Sequence, residues 1–192
     1  MEIKTEKVVN RCCWANLRNP LYIAYHDEDW GVPCHDERML FEMLILEGFQ
    51  AGLSWECVLN KREKFREAFD NFNVQNVQKY DENKLAKLVE NSKIICNRSK
   101  INASVVNARI FIKIQEEFGS FDQYIWGFTD GKVIYEPCNL RTASSLSEMI
   151  SKDLKKRGMK FVGSTIIYSS LQAIGVINGH LEGCWKYQSK YR

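Results

Sequence analysis

The sequence predicts an all-α protein, and three observations carry that expectation. Only three prolines interrupt 192 residues, apolar side chains recur at helical spacing along most of the chain, and no segment shows the alternation of a series of strands. The length, with 45% hydrophobic and 27% charged residues, fits one domain spanning residues 1–192 or two small lobes sharing a core. A disordered tail protein and a large multidomain enzyme are excluded.

The first helix is expected from Asp36, an N-cap, to about Gly52. Leu40, Met43, Leu44 and Glu47 then share one face, so a carboxylate lies on an apolar stripe. A second helix is expected from Ser54 to about Phe69, with Val58, Arg62, Phe65 and Phe69 along one side. Further helices are expected at about 83–91, at 98–117 ending near Gly119, and at 120–127, with an irregular stretch around Gly131–Thr142. Ser145-Leu-Ser-Glu148 reads as a capping box opening a helix that ends in the basic turn Lys155-Lys156-Arg157, with Gly158 just beyond. After Gly158-Met-Lys-Phe-Val-Gly163, the pair Ser164-Thr165 is expected to cap a last helix running to the Asn178-Gly179 break. This is a helix, a glycine-bounded hairpin and a helix.

Charge is mild in total, +3, and uneven in distribution. Residues 151–192 carry eight Lys/Arg against Asp153 and Glu182, whereas residues 21–50 carry seven acids against Arg38. A polyanion suits the basic end, although separate solvated faces give the same pattern. No apolar run approaches the ~20 residues of a membrane span, and the polar start Met-Glu-Ile-Lys-Thr-Glu-Lys carries no targeting signal, so a cytoplasmic protein is expected. Seven cysteines, an odd count, favour free thiols or metal ligands over disulfides.

Three constellations carry chemistry. The hairpin at 158–163 can leave backbone N–H groups free at the start of the next helix, where a phosphate binds, with Lys160, Ser164 and Thr165 adding contacts; the plain alternative is an αα-hairpin with a glycine cap. Cys12 or Cys13 with His26, and His180 with Cys184, supply two thiolates and two imidazoles from opposite ends, a donor set suited to structural zinc; unliganded cysteines and surface histidines are the alternative. Cys34 and His35 read as solvated loop or cap residues. Trp14, Tyr22, Tyr25, Trp30 and Trp55 surround the Glu47 helix in sequence, and aromatic residues in such numbers either fill a core or line a box for a flat, cationic or donor-rich ligand. A flipped nucleobase meets that description.

Longer motifs add a resemblance. Cys12-Cys-Trp14, Pro20-Leu-Tyr-Ile-Ala-Tyr-His-Asp-Glu-Asp-Trp-Gly-Val-Pro33, Leu40-Phe-Glu-Met43, Leu46-Glu-Gly-Phe-Gln-Ala-Gly-Leu-Ser-Trp55, Lys155-Lys-Arg-Gly-Met-Lys-Phe-Val-Gly163 and His180-x-x-x-Cys184 together resemble the bacterial DNA-3-methyladenine glycosylase I enzymes, all-helical members of the helix-hairpin-helix glycosylase superfamily, over about residues 11–187. The resemblance implies a helix-hairpin-helix glycosylase-like bundle whose termini are joined by zinc on Cys12, His26, His180 and Cys184. It implies that Glu47 hydrogen-bonds an extruded 3-methyladenine, that Trp55 stacks on it, and that Tyr25, Trp14 and Trp30 wall the pocket. Gly52 and Leu53 resemble the loop that enters the duplex, and the hairpin with Lys160, Gly163, Ser164 and Thr165 resembles the phosphate grip. Two departures stand out: the Trp14-to-Pro20 spacing is one residue longer than the family pattern, and Cys13 stands where glycine is expected.

The expected activity is hydrolysis of 3-methyladenine from duplex DNA by a monofunctional, monomeric enzyme. A non-catalytic, zinc-stabilised DNA-binding module is the alternative. An iron–sulfur endonuclease is excluded, because only Cys184 lies beyond Cys138 and four closely spaced cysteines are needed.

Overall fold

The computed structural model describes residues 9–136 and 141–187. Cys138, Lys190, Arg192 and the polar N-terminal start, all used in the sequence reading, lie outside them.

Ten α-helices order the described chain. Pro20 opens α1 (Pro20–Ala24), where its missing N–H costs nothing, and the Asn19 side chain caps Leu21. The chain continues without a break into a π-helical turn, Tyr25–Asp29. This wider turn places Tyr25 and His26, adjacent in sequence, in the interior together. α2 (Glu37–Gln50) is capped by Asp36 as expected, but its burial is not a stripe: every residue from Leu40 to Phe49 is buried. A helix apolar on nearly all sides belongs in the middle of a bundle.

The helix expected over 54–69 is two, α3 (Trp55–Leu59), capped by Ser54, and α4 (Arg62–Ala68). The break at Asn60-Lys61 lets Trp55 and Arg62 face different neighbours. A 3-10 turn, Asp70–Phe72, and short α5 (Val74–Val77) follow, both unanticipated. α6 (Glu82–Glu90), α7 (Arg98–Phe118) and α8 (Phe121–Gly127) match expectation, with caps Asp81, Asn97 and Ser120. The irregular stretch contains a two-residue strand, β1 (Ile134–Tyr135), which pairs in parallel with β2 (Ile177–Asn178).

α9 (Ser145–Lys156) opens one residue earlier than its expected cap: the capping box is Ser144 with Ser147, not Ser145 with Glu148. The N-cap of α10 (Ser164–Ala173) is Gly163, so Ser164 and Thr165 lie in the helix rather than capping it. α10 also ends at Ala173 rather than near Asn178, because Gly175 turns away at φ +73° beside the Val32–Pro33 backbone, and the following residues form β2. α10 packs on both α9 and α2, while α2 also meets α3, α7 and α8. The carboxylate-bearing face of α2 is thereby brought beside the hairpin between α9 and α10.

Candidate active site and metal centre

One cavity opens where the π-helical turn, α2, α3 and α10 meet. Its volume is about 250 Å³, and Trp14, Tyr22, Tyr25, Trp30 and Trp55 form its walls around Glu47. That is small against the roughly 300–1,000 Å³ of drug-sized sites and suits a single bicyclic base. The rings are set at angles that build a box rather than a stack: Trp14 meets Trp30 edge-on at 4.6 Å, and Tyr25 lies tilted against Trp55 at 4.9 Å. Trp14, Tyr25, Trp30, Glu47 and Trp55, scattered over 42 positions of sequence, thus line one space.

Three buried polar atoms of this box are unpaired. Glu47 Oε2 and the indole nitrogens of Trp14 and Trp55 are buried and make no hydrogen bond. A buried polar group left in this state costs roughly 1–3 kcal/mol, so its retention points to a ligand that completes it. Burial alone pushes the Glu47 carboxyl up to about 8. Burial, reinforced by the negative charge of Glu47, also holds the Tyr25 phenol well above its ordinary value, so it stays a neutral donor. The cavity offers one acidic acceptor, two indole donors and electron-rich faces.

Gln50 and Ser169 also line the cavity and were not expected. Gln50 lies three residues after Glu47 on α2, a spacing that puts it on the same face. Ser169 sits on α10 and carries no local signal, since only the packing of α10 on α2 brings it there.

Cys12, His26, His180 and Cys184 converge in a second cluster directly behind this wall. All four are buried, and one donor atom from each lies within 4.8 Å of the other three. The Cys12 and Cys184 sulfurs stand 3.5 and 3.6 Å from His180 Nδ1, and Cys184 Sγ stands 3.5 Å from His26 Nε2. Those separations match the edges of a tetrahedron with metal–sulfur bonds of about 2.3 Å and metal–nitrogen bonds of about 2.0 Å. Each imidazole is oriented by its outer nitrogen, His26 Nδ1 lying 2.7 Å from Asp27 Oδ1 and His180 Nε2 lying 3.2 Å from the Trp30 carbonyl. The outer nitrogens therefore carry the protons, and both inner lone pairs aim at the centre. Burial lowers both histidines, His180 to about 4, which keeps them neutral. Burial pushes Asp27 up, but hydrogen bonds from Arg11, His26 and Trp185 outweigh it and hold the group at about 2. Cys13 points outward and is exposed, which leaves Cys12 as the inward thiol.

The residues expected to meet a duplex lie on the turn after α2 and on the hairpin, which approach each other at Gly48 and Phe161. Leu53 is 43% exposed beyond Gly52, whose φ of +80° suits glycine. In the hairpin, Met159 and Val162 are buried as anchors, whereas Lys160 and Phe161 point outward. Gly163 offers no side-chain cap to α10, so the first-turn N–H groups at Ser164 and Thr165 gain no side-chain partner from it. Cys34 and His35 do not join any of these clusters; His35 pairs with Asp122 and stacks on Trp126.

Comparison with known proteins agrees with this geometry. A methyladenine glycosylase family profile matches residues 14–187. The chain is 44% identical to DNA-3-methyladenine glycosylase 1 of Escherichia coli over 186 residues, covering 93% of this chain and 97% of the relative. It is 38% identical to a DNA-3-methyladenine glycosylase of Haemophilus influenzae over 181 residues, covering 92% and 97%. A crystal structure of 3-methyladenine DNA glycosylase I superposes with a TM-score of 0.89 at 43% identity, covering 93% of this chain and all of that one. A Staphylococcus aureus 3-methyladenine DNA glycosylase I, solved to explain 3-methyladenine recognition, superposes at 0.88 with 34% identity, covering 94% and 98%. With family-wide coverage, a shared fold and a purine-sized aromatic cavity around a buried carboxylate, the chain belongs to the methyladenine glycosylase family.

Proposed function

We propose that this chain is a base-excision repair glycosylase that hydrolyses the N-glycosidic bond of 3-methyladenine in alkylated duplex DNA. The observation that carries the reading is the unpaired, buried carboxylate oxygen of Glu47 at the centre of an aromatic box. The C1′–N9 bond breaks, its electron pair neutralises the methylated ring, and water adds to C1′ of the deoxyribose and releases one proton to solvent. The products are free base and an abasic site.

Methylation at N3 makes the purine cationic, so the leaving group needs no protonation by the protein. Recognition then does most of the selection. A cation against aromatic faces gains about 2 kcal/mol or more when desolvated, and it favours the ionised form of Glu47, whereas neutral adenine gains neither. Tyr25, Trp14 and Trp30 wall the base, Trp55 stacks on it, and Glu47 accepts its hydrogen bonds. Once ionised, Glu47 also supplies negative charge to stabilise the developing oxocarbenium sugar. Among the described residues no lysine lines the cavity, which supports a monofunctional hydrolase over a lyase.

The four-residue Cys/His cluster fits structural zinc, the metal whose thiolate–imidazole tetrahedra close all four positions. Bound there, it supplies a cross-link between chain ends and no catalysis. On the duplex side, Leu53 with Gly52 fills the gap left by the extruded nucleotide. Lys160, Gly163, Ser164 and Thr165 hold a phosphate at the helix-hairpin-helix element. No described helix is long and apolar enough to cross a membrane, and a cytoplasmic monomer of one domain suits a DNA substrate.

The test is incubation of the purified protein with methylated duplex DNA and chromatography of the released bases, beside Glu47→Gln. Release of 3-methyladenine with little 7-methylguanine, reduced at least tenfold in the variant, is the expected result. Folded, duplex-binding protein that releases no base would instead support a non-catalytic DNA-binding module.

A further inference from the structure

Lys100 is a buried lysine, 8% exposed, that pairs with no carboxylate among the described residues. Its ammonium instead donates to the carbonyls of Phe49 at 2.8 Å and Ala51 at 2.6 Å. Phe49 lies in the last turn of α2 and Ala51 is its C-cap, just before Gly52 and Leu53. The same ammonium stands 5.9 Å from the centre of the Phe161 ring in the hairpin. Two turns further along α7, Asn107 is 4% exposed and clamps the hairpin backbone in both directions. Its Nδ2 donates to the Lys160 carbonyl at 2.9 Å, and its Oδ1 accepts from the Lys160 N–H at 2.8 Å. Gly48 completes the joint, since a Cβ there would lie 3.5 Å from Phe161 Cβ, so the end of α2 and the hairpin are already in close approach.

We propose that Lys100 and Asn107 are positioning residues that join the Leu53 turn and the 158–163 hairpin into one rigid body, so that gripping a phosphate sets the depth to which Leu53 enters the duplex. This rests on the duplex contacts given under Proposed function. The physical need is geometric. In a duplex the distance from a phosphate to a base step is fixed, and a misplacement of about 1 Å can cost on the order of a hundredfold in rate. Leu53 stands on an exposed turn and its N–H donates to the Gln50 carbonyl at 2.6 Å, so the turn moves with the end of α2 that Lys100 holds. A lysine at this point also suits the negative end of the α2 dipole and supplies hydrogen bonds that water would otherwise make. A plain C-cap would serve stability alone, and the two roles differ in what they do to duplex turnover.

The test is a double-mutant cycle of Lys100→Met with Leu53→Ala, read as single-turnover release of 3-methyladenine from methylated duplex at a temperature where circular dichroism shows every variant folded. Binding of free 3-methyladenine, followed by tryptophan fluorescence, is measured beside it. Lys100→Met is expected to slow release about tenfold, the scale of losing charge-assisted hydrogen bonds. Free-base affinity should stay within about twofold, and Lys100→Arg should recover most of the rate. In the Leu53→Ala background the same change should cost less than about threefold, because the group it positions is gone. An undiminished loss in that background, an equal loss in free-base binding, or no loss at all would overturn the proposal. Should Lys100→Met fail to fold, Asn107→Ala enters the same cycle with the same expectations. Full release by Leu53→Ala alone would defeat the wedge assignment and this proposal with it, while release by the unaltered protein would still stand for the glycosylase reading.

Discussion

Glu47 couples the stability of the fold to pH, and through the proposed base recognition to catalysis. Its carboxyl sits at about 8 in the folded protein, raised by burial, against about 4.3 in an unfolded chain. A raised acid is stabilising while it stays protonated, so this contribution is complete below the unfolded value and is lost progressively as pH rises from about 4.3 to about 8. Glu47→Gln has no such proton to lose. Thermal melts across that range should show the variant gaining on the parent as pH rises, by roughly 2–5 kcal/mol at pH 9. Parallel stability curves would mean that the carboxyl is not raised. The same ionisation predicts that kcat/KM for 3-methyladenine release rises with pH toward about 8 and flattens above it, with the rise absent in Glu47→Gln. Glu47 was legible in the sequence because a carboxylate on an apolar stripe between aromatic segments conflicts with simple burial. Gln50 was within reach of the same helical argument. Ser169, Lys100 and Asn107 were not legible, because each acts across the fold on a partner far away in sequence, and no local pattern encodes that meeting.

At the scale of elements, the ends of helices were read best where a single cap-forming residue type stands alone at the boundary. Asp36 and Gly119 bound α2 and α7 as expected. The interruption between α3 and α4 carries neither proline nor glycine, and the π-helical turn continues α1 without any breaker, so neither left a mark in residue type. The α9–hairpin–α10 unit was legible as a unit, while its caps slipped by one residue at Ser144 and Gly163 because serines and glycines crowd both junctions. In the proposed phosphate grip Gly163 has a part, since a helix start without a side-chain cap leaves its first N–H groups for an anion. Lys160 beside it is exposed, held through its backbone and not its side chain. Lys160→Ala should therefore weaken duplex binding at all sequences, lower the slope of log affinity against log salt by about 1, and leave base preference unchanged. A changed preference at constant affinity would put Lys160 in the base pocket instead.

At the scale of the molecule, the Cys/His cluster and the aromatic cavity are two sides of one wall. Trp14 packs against His26 at 5.2 Å, and Trp30 meets His180 edge-on at 4.7 Å, so two residues that line the cavity rest on two proposed ligands. Cys12 and His26 come from the beginning of the described chain, His180 and Cys184 from its end. Closing such a long loop costs entropy that a metal bond can offset, and the binding free energy of structural zinc becomes folding free energy. Loss of the metal should then do two things. The melting temperature should fall by roughly 10 °C or more, since each kcal/mol shifts a domain of this size by about 2–4 °C. Free 3-methyladenine should also bind less tightly, because Trp14 and Trp30 lose the support that fixes their edges. Chelation followed by re-addition of zinc separates this from general damage, since both properties should return together, whereas Cys184→Ser should show both losses without recovery. A metal-free protein with an unchanged melting temperature and undiminished base binding would mean that the four side chains close the chain ends by packing alone.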